Sequence, residues 1–313
     1  MAPTMTPVLR IPPIFRVALV VLALASVPAA AGAQTIMRTR LDTTLAFSKG
    51  GLVDLGLISG DIIVTGWTRP EVRIVARIEE GELETTIASS RISIQTQSRR
   101  RRVGEAQYEV HVPIGTRVQA SSISGDIRVT GTAGEVQANS ISGAVEVTDA
   151  SDRISVGSVS GDLHVTKLRG RTRISTTSGD LELDDISGDL TVESVSSDIK
   201  ITRAKSAHVH AGTVSGEVTY AGSIEADGSY EFSTHSGEVR LEIPAGSGAS
   251  LDLQTFSGSI TSSFPMTLQP GERSRRSGRK MQFTIGNGSA RITAETFSGD
   301  ITIERAGRSG KEE

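Results

Sequence analysis

The sequence predicts an all-β fold, a parallel single-stranded β-solenoid (β-helix) with about 18 residues per coil. The first observation behind this prediction is a short phrase, Ser-Gly-Asp or a close variant, that returns at a constant interval. Its opening serine stands at Ser124, Ser142, Ser160, Ser178 and Ser196, a step of 18 residues each time. One such unit is too small to bury a core alone, so the units must stack on one another.

The second observation is the alternation of apolar and polar residues after each turn, as in Ile127-Arg128-Val129, which is typical of a half-buried strand. Aligned by the repeat, the apolar residues fall into columns. The columns of the first strand are Ile127, Val145, Leu163, Leu181, Ile199 and Val129, Val147, Val165, Leu183, Ile201. A second strand follows half a period later, with Val136, Ile154 and Leu190 in one column, where Thr172 is a misfit.

The third observation is the outward column of the first strand, in which basic and acidic groups alternate. It consists of Arg128, Glu146, His164, Glu182 and Lys200. Opposite charges on neighbouring strands attract by a few tenths of a kcal/mol, roughly, whereas like charges repel. The alternation therefore favours coils that stack in register.

The turns predict two further features of each coil. Glycines at Gly125, Gly143, Gly161 and Gly179 can take φ > 0, and the Asp that often follows can bond to the backbone. Two residues before each turn serine stands a hydroxyl, which alternation assigns to the inner face. These residues are Ser122, Ser140, Ser158, Thr176 and Ser194. No His or Lys recurs beside them, so they are interpreted as satisfying polar groups at the corner and not as nucleophiles.

Along the chain, the sequence begins with a predicted secretory signal peptide. Arg10 and Arg16 accompany an apolar run at 17–27, and Ala31-Gly32-Ala33 forms a cleavage site. The apolar run is too short for a permanent span, so no transmembrane segment is expected in the mature chain. The predicted segments are a signal peptide at 1–33, irregular first coils with a capping role at 34–120, regular coils at 121–262, a loop insertion at 263–290, a last coil at 291–304 and a polar tail at 305–313.

Three phrases carry a resemblance to a known family. They are Gly66-Trp67-Thr68-Arg69-Pro70, then His111-Val112-Pro113-Ile114-Gly115, and the serial Ser-Gly-Asp turns. In these motifs, and over nearly all of the mature chain, the sequence resembles the DUF4097 family of bacterial β-strand repeat proteins, which carries an adhesin label. The resemblance implies an envelope-associated β-solenoid and transfers no catalytic residue.

Several side chains could bind a metal or act as a catalytic pair. The acidic column Asp126, Asp162, Asp180, Asp198, Glu217, Glu238 and Asp300 could bind Ca²⁺ or, as we favour, cap turns. His208 and His210 share a strand face and could hold Zn²⁺, but no further ligand stands at a recognisable spacing. Asp184 and Asp185 are adjacent carboxylates that a strand would point to opposite faces. We therefore predict no catalytic residue, no metal site and no cofactor.

Two sets of residues are candidates for contacts with a partner. The residue before each turn serine would form an apolar stripe if it points outward, or join the core if the corner kinks. The stripe candidates are Ile123, Ile141, Val159, Val195, Val214, Phe256 and Phe297, with Ile58 in the first coil. The candidates for contact with an anionic surface are Arg99, Arg100, Arg101, Arg102, Arg273, Arg275 and Arg276.

These observations predict an exported, non-enzymatic, adhesin-like interaction surface of the bacterial cell envelope, in the periplasm or at the cell surface. A formal net charge of −3 argues against general nucleic-acid binding, and the absence of cysteine fits an exported bacterial protein. The expected partner is an unknown envelope protein or glycan, and the chain is expected to be a monomer. The alternatives are a glycan-acting enzyme on a β-helix scaffold and a self-assembling structural protein.

Overall fold

The computed structural model describes residues 34–97, 104–265 and 279–307. The predicted signal peptide, the arginine candidates at 99–102 and at 273, 275 and 276, and the end of the predicted tail lie outside the described residues. The described part of the chain forms strands joined by turns. None of its segments is a helix of the length and apolarity needed to cross a bilayer.

The described strands fall into three groups along the chain. The N-terminal group is β1 (Gln34–Arg38), β2 (Arg40–Ala46), β3 (Leu52–Trp67), β4 (Glu71–Ile78), β5 (Glu82–Ala88), β6 (Arg91–Gln97) and β7 (Ala106–Pro113). The regular group is β8 (Arg117–Ser124), β9 (Ile127–Thr130), β10 (Val136–Ser142), β11 (Val145–Thr148), β12 (Ser151–Ser158), β13 (Leu163–Thr166), β14 (Arg169–Ser178), β15 (Leu181–Asp184), β16 (Leu190–Ser196), β17 (Ile199–Ala204), β18 (His208–Ser215), β19 (Val218–Gly222), β20 (Ser229–Ser236) and β21 (Val239–Ile243). The C-terminal group is β22 (Ala249–Ser257), β23 (Ile260–Ser262), β24 (Arg279–Ile285), β25 (Ala290–Ser298) and β26 (Ile301–Arg305).

The regular strands confirm the predicted parallel β-solenoid. Even-numbered strands β8 to β20 pair in parallel in one sheet, here called sheet A, and odd-numbered strands β9 to β21 pair in parallel in a second, sheet B. The register follows the repeat: Val136 pairs with Ile154 in sheet A, and Val145 pairs with Leu163 in sheet B. Each coil therefore contributes one strand to each sheet and turns at two corners.

The core lies between the two sheets and consists of the predicted columns. Ile127, Val145 and Val129 are at most 1% exposed, and the corresponding residues of later coils are buried in the same way. The misfit Thr172 also lies in this core, 1% exposed, and its hydroxyl has no hydrogen-bond partner. In the wider coils near the C-terminus, Tyr220 packs on Phe232 with ring centroids 5.2 Å apart.

Both ends of the stack depart from a simple succession of coils. At the N-terminal end, β4 and β5 pair antiparallel with β7 and β6, so the first coils are not all parallel. At the C-terminal end, β25 and β26 lie between β20–β21 and β22–β23. The coil that is last in sequence is thus not last in the stack. The predicted loop insertion at 263–290 contains β24, which pairs antiparallel with β22 and continues sheet A.

The two corners of a coil have different backbone conformations. The corner from sheet A to sheet B, here called the glycine corner, contains the Ser-Gly-Asp phrase. Of the four glycines predicted to take φ > 0, only Gly179 does so, and Gly125, Gly143 and Gly161 do not. The return corner, here called the left-handed corner, has φ between 52° and 71° at one residue per coil. These residues are Gly131, Asp149, Lys167, Asp185 and Arg203.

Candidate interaction surface

The end of each sheet A strand, just before the glycine corner, places alternate residues inside and outside. The predicted inner hydroxyls are buried at Ser122, Ser140, Ser158 and Thr176, and Ser194 is half-buried. The hydroxyl of Thr176 donates to the carbonyl oxygen of Ser178 at 2.9 Å. Strict alternation therefore continues up to the corner, and it turns the next residue outward.

The residues that follow the inner hydroxyls form a continuous outward row, which we call the apolar stripe. Their exposed fractions lie between 47% and 53%, whereas Ile58 in the first coil is half-buried. The stripe residues with these exposed fractions are Ile123, Ile141, Val159, Val195, Val214, Phe256 and Phe297. The turn serines that follow them pair in register from coil to coil, as Ser124 does with Ser142. Neighbouring stripe side chains are therefore about 4.8 Å apart along the stack.

Two residues of the same row were not among the sequence candidates. Thr177 and His235 occupy the stripe positions of their coils, and both are exposed. Neither side chain is apolar, so an apolar column does not include them. The column position alone, directly before Ser178 and Ser236, would have identified both.

At its C-terminal end the stripe is aromatic. The ring of Phe297 lies between those of His235 and Phe256, with centroid distances of 4.8 Å to each and interplanar angles of 6° and 3°. This order results from the insertion of β25 between β20 and β22. The three rings stack face to face along the solenoid, and all three side chains are exposed.

Four members of the acidic column cap the glycine corners of neighbouring coils. Asp126 accepts a hydrogen bond from the backbone N–H of Ala144 at 2.9 Å, and Asp162 accepts one from Asp180 at 2.9 Å. Asp300 accepts from both the N–H and the hydroxyl of Ser259, which lowers its pKa. In the described residues, no three His, Cys, Asp or Glu side chains lie close enough to share a metal ion. Asp198 accepts a bond from the N–H of Glu217 in the same way, whereas Glu217 and Glu238 contact the guanidinium group of Arg240.

The two histidines and the adjacent carboxylates engage different partners. His208 Nδ1 lies 3.0 Å from Asp189 and His210 Nδ1 lies 3.3 Å from Glu231, so each ring contacts a carboxylate of a neighbouring coil. Asp184 pairs with Arg203 and accepts a bond from Thr202. Asp185 takes the left-handed conformation at its corner. These side chains therefore connect coils and do not converge on one point.

The predicted charge alternation on sheet B is also present as ion pairs. Arg128 contacts Glu146 at 2.7 Å, and Glu182 lies 3.2 Å from His164 and 3.3 Å from Lys200. All of these groups are substantially exposed, so each pair contributes at most a few tenths of a kcal/mol, roughly. Their effect is to hold neighbouring coils in register.

Buried tyrosines supply the clearest pKa shifts among the described groups. Burial raises the pKa of Tyr108 and Tyr220 far above the ordinary value of 10.0. The hydroxyl of Tyr108 donates to the carbonyl oxygen of Gly56 at 3.2 Å, and that of Tyr220 donates to Ser223 at 2.9 Å. These hydroxyls are neutral donors in the core, so they stabilise the fold and offer no acid or base to solvent.

Comparison with known proteins gives structural and family relationships. Among solved structures, a candidate adhesin from Bacteroides fragilis is 11% identical, with 86% of this chain and 97% of that chain covered and a TM-score of 0.40. A candidate cell adhesion protein from Clostridium sporogenes is 10% identical, with 88% of this chain and 100% of that chain covered and a TM-score of 0.19. No curated protein matches the chain. The sequence model of the Toastrack DUF4097 family matches twice, over residues 48–220 and 134–304, and the chain belongs to this family.

Proposed function

We propose that this protein is an exported, non-enzymatic β-solenoid that presents an adhesin-like interaction surface of the bacterial cell envelope. The observation that carries the proposal is the apolar stripe, which runs along the stack with each named side chain about half exposed. The core is complete without these residues, because the inner columns are fully buried. An exposed row made mainly of apolar residues is typical of a site of protein or glycan contact.

The energetics of the stripe fit a contact surface. A stripe side chain keeps about half of its surface in water, and each square ångström of apolar area covered by a partner contributes about 25 cal/mol. Several neighbouring residues covered together would therefore contribute a few kcal/mol, roughly, before the costs of association. The stripe is long and narrow, so it suits an extended partner that lies along the solenoid.

Capping carboxylates and two histidines among the described residues are engaged in connections between coils. The capping carboxylates accept backbone N–H groups, and the histidines of sheet A contact carboxylates. This arrangement supports a binding role. Export is supported by the signal-peptide pattern of the N-terminal sequence and by the lack of cysteine.

The test uses the variant Ile141→Thr with Val159→Thr, because Thr177 already occupies the same row in the next coil. We expect the free energy of unfolding of the variant to lie within about 0.5 kcal/mol of the wild-type value, since the changes are on the surface. We also expect it to lose retention on purified bacterial envelopes, measured by sedimentation. The matched control is Ile63→Thr with Val75→Thr, which changes two half-buried residues that also face outward, on sheet B.

Three results would contradict the proposal. Retention of the stripe variant equal to that of wild type would remove the stripe as the contact surface. Release of shortened sugars from envelope glycans would favour the glycan-acting enzyme. Long polymers of the wild-type chain in light scattering at micromolar concentration would favour the self-assembling structural protein.

A further inference from the structure

One strand of sheet A presents a row of arginines on its outward face. Arg171 and Arg173 of β14 alternate with the inward residues Thr172 and Ile174 and lie about 6.6 Å apart, as outward neighbours on a strand do. Arg169 precedes the exposed Gly170, whose φ is 108°, and all three arginines are exposed. On the adjacent strand, Arg153 pairs in register with Arg171 and adds a fourth positive charge.

This row differs from the outward column of sheet B, where charges are paired between coils. There Arg128 contacts Glu146, and Lys200 contacts Glu182. Among the described residues, the side chains of Arg169 and Arg173 make no ion pair and no hydrogen bond. Arg171 lies 3.8 Å from Asp189, beyond hydrogen-bonding distance, and its side chain is 71% exposed.

The row is unfavourable for the isolated protein. Arg153 and Arg171 are like charges on directly paired strands, and such pairs destabilise a sheet. Arg153 is itself 3.7 Å from Glu135 and 64% exposed, so this contact leaves its charge largely in solvent. An external group with several negative charges would relieve the repulsion and gain charge-assisted hydrogen bonds from the guanidinium groups.

The neighbours of the row are small and polar. Arg173 faces Ser155 on one side and Thr191 on the other, and Ser175 follows it on the same strand. Asn139 lies two coils away on the same face. Hydroxyl and amide groups of this kind can bond to sugar hydroxyls. The row itself contains no aromatic side chain on which nucleotide bases could stack, and the net charge of the chain is −3.

From this arrangement we infer that the outward face of β14 is a binding site for an anionic polysaccharide. The arginine row binds its carboxylate, phosphate or sulfate groups, and the neighbouring hydroxyls bind the sugar ring. The inference rests on the proposed function in taking an envelope glycan as the partner, and it names the charge that this partner carries. It uses residues different from the arginine candidates at 99–102 and 273–276.

The experiment measures binding of labelled oligogalacturonate, dextran sulfate and neutral dextran by fluorescence anisotropy. We expect wild type to bind the two anionic probes and not the neutral one, with affinity that falls as salt rises from about 50 to about 500 mM. The variant Arg169→Thr, Arg171→Thr, Arg173→Thr should bind about tenfold more weakly, since each exposed charge contact contributes modestly. The control Lys49→Thr, Arg77→Thr, Arg291→Thr removes the same charge from exposed residues elsewhere and should change affinity by less than about threefold.

Five outcomes would overturn the inference. They are absence of wild-type binding to the anionic probes, equal weakening in the two triple variants, unchanged binding in the arginine-row variant, equal binding of neutral dextran, and tighter binding to phosphatidylglycerol vesicles or single-stranded DNA than to the glycans. Thermal unfolding of each variant shows that the fold is retained, and an Arg→Lys triple should keep most of the affinity. If wild type is retained on envelopes through the stripe but does not bind the anionic probes, only this inference fails and the proposed function stands.

Discussion

The two corners of each coil solve the same problem of chain reversal in different ways. At the glycine corner the backbones of successive coils approach each other closely: a Cβ added to Gly161 would lie 2.2 Å from the carbonyl oxygen of Gly143. At the left-handed corner the backbone takes an unusual φ, yet Lys167 and Arg203 carry long side chains there. Gly161 is thus needed for space, whereas at the positions of Lys167 and Arg203 the constraint is on backbone conformation.

The difference shows that one repeated glycine cannot be interpreted from its residue type alone. Gly161 does not have a positive φ, so its role is to let one coil lie on the next. Ser197 occupies the same column in its coil, buried, with its hydroxyl accepting a bond from Ser194 at 2.7 Å. The corner can therefore adjust at one coil, and the cost of a side chain depends on the coils above and below it.

The largest expected effect is that of Gly161→Ala at the glycine corner. The new methyl group would meet the backbone of Gly143, which cannot move without shifting the coil. We expect the free energy of unfolding to fall by about 3 kcal/mol, as in an overpacked core. Chemical denaturation followed by circular dichroism measures this change.

Gly115→Ala provides the control, because it separates space from conformation. Gly115 has φ of 91° and no atom within 4 Å of an added Cβ, so alanine there meets strain without a clash. We expect a loss of about 1 kcal/mol at this position. A larger loss at Gly115 than at Gly161 would contradict the distinction between the two roles of glycine.

The sequence predicted the regular coils because period and alternation determine them together. A shift of one residue would turn Ile127 and Val129 outward and Arg128 inward, so only one register buries the aliphatic columns. The same alternation predicted the burial of Ser140. It left the exposure of Ile141 open, because a kink at the hydroxyl would have reversed it, and the structure shows no such kink.

The ends of the stack could not be predicted from the same information. Phe256-Ser257-Gly258 and Phe297-Ser298-Gly299 are nearly identical phrases, so register alone does not say which coil lies next to His235. In the structure Asp300 belongs to the inner coil, and its carboxylate accepts a hydrogen bond from the N–H of Ser259 in the outer coil. Alternation also carries no strand direction, so the antiparallel β4 and β5 were not foreseen. The positive φ at the left-handed corner could not be predicted either, because Asp149 and Lys167 occupy it in their coils and neither is glycine.

A smaller effect of opposite sign is expected at the left-handed corner. Lys167 has φ of 57°, a conformation that costs an L-residue about 1 to 2 kcal/mol and glycine almost nothing. Lys167→Gly should therefore raise the free energy of unfolding by about 0.5 to 1 kcal/mol, after allowance for the greater freedom of glycine in the unfolded chain.

The matched comparison at the left-handed corner uses other residues at the same position. Lys167→Asn should be neutral or slightly stabilising, and Lys167→Val should destabilise, because a β-branched residue tolerates a positive φ poorly. Urea denaturation of the three variants gives the order. If Lys167→Gly proves as destabilising as glycine in a strand interior, the positive φ at this corner does not cost the folded state the expected free energy.

The smallest expected effect concerns the carboxylate cap at the glycine corner, tested through its dependence on pH. Hydrogen bonds from the backbone N–H and the hydroxyl of Ser259 lower the pKa of Asp300 from its ordinary value of 3.8. Because the folded state favours the ionised form, the contribution of Asp300 to stability is present above pH 3.8 and is lost as the pH falls through the lowered pKa of the folded state.

Asp300→Ser makes this coil resemble the one that carries Ser259. It should lower the melting temperature slightly at neutral pH and progressively less as the pH falls below 3.8. Asp61→Ser is the control, since Asp61 is exposed and holds the Asp position of the Ser-Gly-Asp phrase in the first coil. A difference between wild type and Asp300→Ser that stays constant from neutral to acidic pH would show that the bond to Ser259 does not depend on the charge of the carboxylate.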